Sequence, residues 1–204
     1  VTLRRIALIE TGIANIASVR AAFARLGAEL VPATDGDAVR HAEHVILPGV
    51  GAFAAGIDAL RARGLDAALT ERIAAGRPTL TICLGLQLLA DGSDESPGAR
   101  GLGVVAGRAT RFDSNLRVPQ LGWNHVTPDP TGAAWLEAGF AYYANSFRLT
   151  SAPAGWDIAL SDYGGPFVAA MRRGDVLACQ FHPELSGPWG ANLLSRWLDG
   201  AFPC

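Results

Sequence analysis

The stretch Thr79–Ala90 reads TLTICLGLQLLA. Leu80–Ile82 is apolar and β-branched, which suits a buried strand. Leu84–Ala90 is Leu-rich and compatible with a helix. Cys83 stands between them, with Gly85 two residues on. A strand that turns into a helix through one nucleophilic residue is a nucleophile elbow, here built with Cys in place of Ser. Such a turn lifts the side chain above the sheet, and a helix N-terminus favours a thiolate over a thiol. A cysteine buried inertly in a core strand is the alternative at this point.

Working outward from the elbow, strand and helix signals alternate. Upstream, Leu65–Ala75 reads as a helix closed by Gly76 and Pro78, and Val45–Leu47 as a strand entering PGVGAF. Ile6–Ile9 reads as a central strand, followed by a turn bracketed by Gly12 and Asn15. Val19, Ala22, Phe23 and Leu26 then fall at helical spacing, and Gly27 stops that helix. Glu29–Val31 is a further strand, ended by Pro32. This order predicts an α/β fold with a doubly wound, mostly parallel central sheet, helices on both faces, and loop sites at the carboxyl ends of the strands. Downstream, DGSDESPGAR (91–100) is polar and turn-rich and reads as a surface loop. Short β-like pieces near Val104, Val126, Tyr142, Ile158, Val168 and Val176 suit a mixed or antiparallel extension of the sheet. Ala191–Leu198 closes the chain as a helix whose Leu193, Leu194, Trp197 and Leu198 share one face. With no repeat, low-complexity run or linker, residues 1–204 are expected to form one domain.

Composition narrows the function classes. The chain has 204 residues, is 50% hydrophobic and carries a formal net charge of -2, so it can bury a full core and is not disordered. No charge asymmetry points to nucleic acid or an anionic membrane. The N-terminal apolar run, interrupted at Glu10, is too short for a signal peptide or a membrane span, and a cytoplasmic location is expected. Three cysteines, Cys83, Cys179 and Cys204, are too few and too scattered for a disulfide framework or a zinc site. No phosphate loop or dinucleotide fingerprint is present, so no cofactor or metal is expected.

The chemistry gathers in four places. In QFHPELS, the strand-like Val176–Phe181 delivers His182, Pro183 and Glu184. An imidazole can take the proton of Cys83 and return it to a leaving amine, and a carboxylate two residues beyond can orient the ring. In PGVG, the backbone amides of Gly49, Val50 and Gly51 can face a developing oxyanion, together with that of Leu84; a Gly-rich turn without function is the alternative. Gln87, one helical turn past Cys83, can reach a small polar substrate or merely bond a neighbouring loop. Elsewhere the roles are expected to be structural. His41 and His44 read as surface or capping residues, Glu71 and Arg72 as a solvated helix face, and Cys179 as a small buried hydrophobe. Trp123, Trp135, Trp156, Trp189 and Trp197 read as core or interface, His125 faces a partner or solvent, and Cys204 is incidental.

PGVGAF, ICLGLQLL and QFHPE together resemble the class I (triad) glutamine amidotransferases. ILPGVGAF, VPQLGWNHV (118–126) and YYANSF (142–147) resemble one branch of that family, the glutaminase subunits of imidazole glycerol phosphate synthases. The resemblance implies a flavodoxin-like core. It implies Cys83 as nucleophile on the glutamine side-chain amide, His182 as base and acid, Glu184 as its orienter, and a glutamyl thioester. It also implies that Gln87 and the backbone near Ser146 and Phe147 hold the glutamine head group. The implied partner is a (β/α)8-barrel cyclase subunit in a heterodimer, to which ammonia passes through a tunnel. There it gives imidazole glycerol phosphate and a carboxamide nucleotide. The isolated chain is expected to be nearly inactive.

The chain departs from that pattern at several positions. Thr81 stands where Gly is usual and is expected to crowd the turn. Glu10–Asn15 replaces an Asp-Tyr-Gly-x-Gly-Asn run, Gln120 and Asn145 replace histidines, and Leu185 replaces a Lys associated with the partner interface. A glutaminase serving another synthase and a catalytically silent partner-binding subunit therefore remain alternatives.

Overall fold

A computed structural model of the chain describes residues 3–11, 16–113, 115–129, 135–151 and 153–202. The turn at Gly12–Asn15 and Cys204 lie outside the described residues. The first half runs β1 (Arg4–Leu8), α1 (Ile16–Arg25), β2 (Ala28–Pro32), α2 (Gly36–His41), β3 (His44–Gly49), α3 (Phe53–Ala62) and α4 (Leu65–Ala74). The elbow follows as β4 (Thr79–Cys83) and α5 (Leu84–Gln87). Next come β5 (Ala90–Ser93), β6 (Ser96–Arg100), β7 (Val105–Arg111), β8 (Gln120–Pro128), β9 (Gly139–Asn145) and β10 (Phe147–Arg148). The chain continues through β11 (Asp157–Asp162), β12 (Pro166–Arg173) and β13 (Val176–Cys179) to a 3-10 turn at Pro183–Leu185 and α6 (Gly187–Leu198).

Nine strands form the main sheet in the order β2-β1-β3-β4-β13-β12-β11-β8-β9. The first five run parallel, and pairing turns antiparallel from β13 to β12 onward. This is the mixed sheet expected from the sequence. Side-chain alternation sorts the strands onto two cores. Ile6, Leu8, Ile46, Leu80 and Ile82 pack with Val19 and Phe23 of α1 and with Leu193, Leu194 and Trp197 of α6. Ala7, Ile9, Val45 and Leu47 pack on the other face with Val39 of α2, Phe53 and Ile57 of α3, and Leu69 and Ile73 of α4.

Several local expectations are corrected. The segment 91–100 is not a loop but the hairpin β5–β6, part of a second sheet ordered β10-β7-β5-β6. Its polar residues pair through the backbone, with Gly92 opposite Arg108 and Ser93 opposite Ala109. The strand near Val104 therefore joins this second sheet instead of extending the first. The helix expected to reach Ala90 stops at Gln87. Backbone N–H groups of Leu102 and Val104 take the carbonyls of Leu88 and Leu89, so tertiary pairing displaces further helical bonds. Helices α2 and α3 were not anticipated; Asp35 caps the first, accepting from the Ala38 N–H at 2.8 Å.

Arg72 and His44 also contradict their surface readings. Arg72 is 2% exposed. Its guanidinium donates to the carbonyls of Val39, Ala42, Glu43 and Pro78 at 2.7–3.1 Å and to Thr79 Oγ1 at 3.1 Å. Desolvation, then the nearby Arg77 charge, lowers its pKa to about 10. His44 is buried at the start of β3, edge-on to Trp197, and desolvation lowers its pKa. His41 does lie exposed at the end of α2, with its ring nitrogen 3.0 Å from the Asp37 carbonyl.

Candidate active site

Cys83 ends β4 with φ 54° and ψ -108°; it is the one residue other than glycine with positive φ among those described. That conformation points the thiol off the sheet at its carboxyl edge, as the elbow reading requires. The tight turn depends on Gly85, where a Cβ would run into the Leu47 carbonyl. Thr81 does not obstruct it. Its side chain lies fully buried on the α3–α4 face of the sheet, in register between Leu47 and Ala178. Its hydroxyl has no hydrogen-bond partner among the described residues.

The neighbouring strand supplies an imidazole. Beyond β13, the His182 N–H donates to the Tyr142 carbonyl at 2.9 Å, and Ser186 Oγ donates to the His182 carbonyl at 2.6 Å. Ser186 Oγ also accepts from the Tyr142 N–H at 3.0 Å, so this serine locks the histidine loop to β9. The 3-10 turn that starts at Pro183 folds Glu184 back beneath the ring, and Glu184 Oε1 lies 2.8 Å from His182 Nδ1. Nε2 is then the nitrogen left for Cys83. Desolvation alone would lower the His182 pKa; hydrogen bonds and charge from Cys83 and Glu184 outweigh it and raise it to about 10. The two neighbours thus favour the protonated form of the ring. Cys179, by contrast, is wholly buried, and desolvation followed by the Glu184 charge pushes its thiol pKa well up, which suits an inert side chain.

A cavity of about 410 Å³ opens over the thiol. Val50, Gly51, Cys83, Leu84 and Gln87 line one side of it, and Ser146 and Phe147 line the other. Gly51 has φ 95°, which keeps this loop backbone open to the cavity without side-chain strain. Gly49 sits just behind, in register with Cys83. Leu84 begins α5, so its N–H has no acceptor within that helix. Gln87 is more constrained than its sequence suggests. Its Nε2 donates to the Phe147 carbonyl at 3.0 Å and to Gln180 Oε1 at 3.1 Å, which leaves its carbonyl for a ligand. The Ser146 and Phe147 carbonyls are likewise already taken, by the N–H of Phe112 and by the side-chain amides of Gln87 and Asn145.

Three site residues escaped the sequence reading. Glu95 places a carboxylate on the cavity wall, accepting from the Phe53 N–H at the start of α3 at 2.7 Å. Its polar hairpin carries no signal in sequence beyond composition. Gln180 and Ser186 flank the triad residues within QFHPELS, but only the folded strand shows what they touch. The positions Gln120 and Asn145 face each other across β8 and β9, both buried.

Comparison with known proteins agrees with this geometry. The family model for glutamine amidotransferase class-I matches residues 7–200. The chain belongs to the class-I glutamine amidotransferase family. It is 40% identical over 198 residues to the imidazole glycerol phosphate synthase subunit HisH of Symbiobacterium thermophilum, covering 96% of this chain and 93% of that protein. It is 38% identical over 205 residues to the chloroplastic imidazole glycerol phosphate synthase hisHF of Arabidopsis thaliana, covering 97% of this chain and 34% of the longer protein. Among solved structures, PurLQS from Thermotoga maritima superposes with a TM-score of 0.75 at 16% identity, covering 97% of this chain and 99% of that one. That likeness shows the shared fold.

Proposed function

We propose that this class-I amidotransferase is the glutaminase subunit of an imidazole glycerol phosphate synthase, the whole chain working as one domain. The observation that carries the reading is the thiol of Cys83, raised on its positive-φ turn beneath an amino-acid-sized cavity and backed by the His182–Glu184 pair. Cys83 Sγ attacks the side-chain carbonyl carbon of glutamine, and the oxyanion settles on the N–H of Leu84 and on the Val50–Gly51 backbone. Imidazolium His182 gives its proton to the departing ammonia and then draws one from the water that hydrolyses the thioester. Glu184 stabilises the charged ring through both steps. The substrate's α-ammonium finds the Glu95 carboxylate and the free carbonyl of Gln87.

Exposure supports a partner surface on β8 and β9. Leu121, Trp123 and Phe140 are 67%, 58% and 59% exposed on the outermost strands β8 and β9, and Leu185, in the 3-10 turn that packs near β9, is 37% exposed. Strand alternation puts Leu121 and Trp123 on one face, with Phe140 opposite His125 on the partner strand. An apolar face of this kind fits a protein partner, here a (β/α)8-barrel cyclase subunit that receives the ammonia, in the cytoplasm. Leu185 in place of a lysine extends this face without a charge.

The deciding experiment measures glutamine hydrolysis with and without the cyclase subunit and its ribulosyl nucleotide. Stimulation by the partner is expected, along with a Cys83→Ala variant that supports ammonia-dependent but not glutamine-dependent synthesis. Robust hydrolysis by the isolated chain, or glutamine use by the variant, overturns the reading.

A further inference from the structure

We propose that Gln180 is a positioning residue for the nucleophile, donating its side-chain amide to Cys83 Sγ and held in that orientation by Gln87. Gln180 lies fully buried between β13 and His182, with Nε2 3.7 Å from the sulfur. The direction of the amide is fixed by a chain of bonds that starts at a backbone group. The Phe147 carbonyl can only accept, so Gln87 must turn Nε2 toward it at 3.0 Å. The same Nε2 lies 3.1 Å from the Gln180 side chain, which must then present Oε1 to it. Gln180 Nε2 is thereby left facing Cys83, and neither amide can flip alone.

A fixed N–H donor lowers the cost of negative charge on sulfur and holds the thiol in one rotamer. No proton changes hands: an N–H donor bonds a thiolate more strongly than a thiol, so it favours the form of sulfur that attacks. Gln180 is neutral, so it supports the thiolate without competing for the Glu184 carboxylate. The inference rests on Cys83 being the nucleophile of the proposed reaction.

The test is iodoacetamide alkylation of Cys83 against pH in the full chain, with glutamine hydrolysis in the assembled complex as the second readout. Gln180→Glu keeps the shape and loses the donor; Gln180→Met replaces the amide with an apolar side chain. Both are expected to move the alkylation midpoint to higher pH, slow alkylation at pH 7 about tenfold, and lower kcat with little change in KM. An unmoved midpoint in a variant with wild-type melting overturns the proposal, as does a raised KM at unchanged kcat. Should both Gln180 variants melt early, Gln87→Met breaks the same chain from the cavity side, and its alkylation profile, taken without glutamine, decides in the same way. Wild-type complex that fails to hydrolyse glutamine would sink the functional reading, while the alkylation profile would still decide the role of Gln180.

Discussion

Cys83 holds a backbone conformation that costs a residue with a side chain about 1–3 kcal/mol. The surrounding parallel strands sustain it, and its return is a thiol clear of the sheet. His182 answers with a pKa raised to about 10, above its ordinary 6.5. The ion pair's contribution to stability is thus complete below pH 6.5 and lost as pH rises through about 10. The basic limb of glutamine hydrolysis is expected near that upper value, where the imidazolium loses the proton it gives to ammonia. Glu184→Gln removes one of the interactions that raise this pKa, so the limb should move to lower pH and kcat should fall about 100-fold or more. A pH–rate profile of the assembled enzyme checks both; an unmoved limb would mean that Glu184 does not hold the ring. The candidate triad was legible because its residue types have few other uses in that arrangement: a Cys at a strand–helix junction and a His-Pro-Glu after a strand. Gln180 stood in the same quoted motif, yet a glutamine has many uses, and only its neighbours in the fold select one.

Strand β4 shows how a local misfit is absorbed one element away from the chemistry. Thr81 was expected to crowd the turn, but it points into the packed face beneath α3 and α4, where its hydroxyl meets no acceptor among the described residues. A buried hydroxyl left unpaired is unfavourable, and an apolar group of the same shape avoids that cost. Thr81→Val is therefore expected to raise stability by about 1 kcal/mol, or about 2–4 °C in Tm, with glutaminase kinetics unchanged. Calorimetry beside an activity assay checks it; a lower Tm would show that the hydroxyl has a partner. The elements that periodicity revealed are those with one apolar face, α1, α4 and α6, and the apolar strands β1, β3 and β4. Helix α5 and hairpin β5–β6 were misread because their structure is set by partners far along the chain, Leu102 and Val104 for one and β7 for the other.

At the scale of the whole molecule, Arg72 ties α4, the loop after α2 and the start of β4 through carbonyl groups that have turned inward. An Arg beside Glu on a helix ordinarily lies in solvent, and nothing in the local pattern reveals that these carbonyls need a donor. Arg72→Met should leave several of them unpaired and cost about 3 kcal/mol or more, near 6–12 °C in Tm. Thermal unfolding measures this, and a loss under about 1 kcal/mol would show that water replaces the guanidinium.

The parallel half of the main sheet grows from the first part of the chain, but β13, far downstream of β4 in sequence, inserts between β4 and β12. Cys83 thus leaves the ribosome almost a hundred residues ahead of His182, since the contact from Gln180 to Cys83 alone spans 97 positions. A nascent or prematurely terminated chain carries the thiol without its base. Seating β13 between β4 and β12 is therefore the folding step that brings His182 to the thiol.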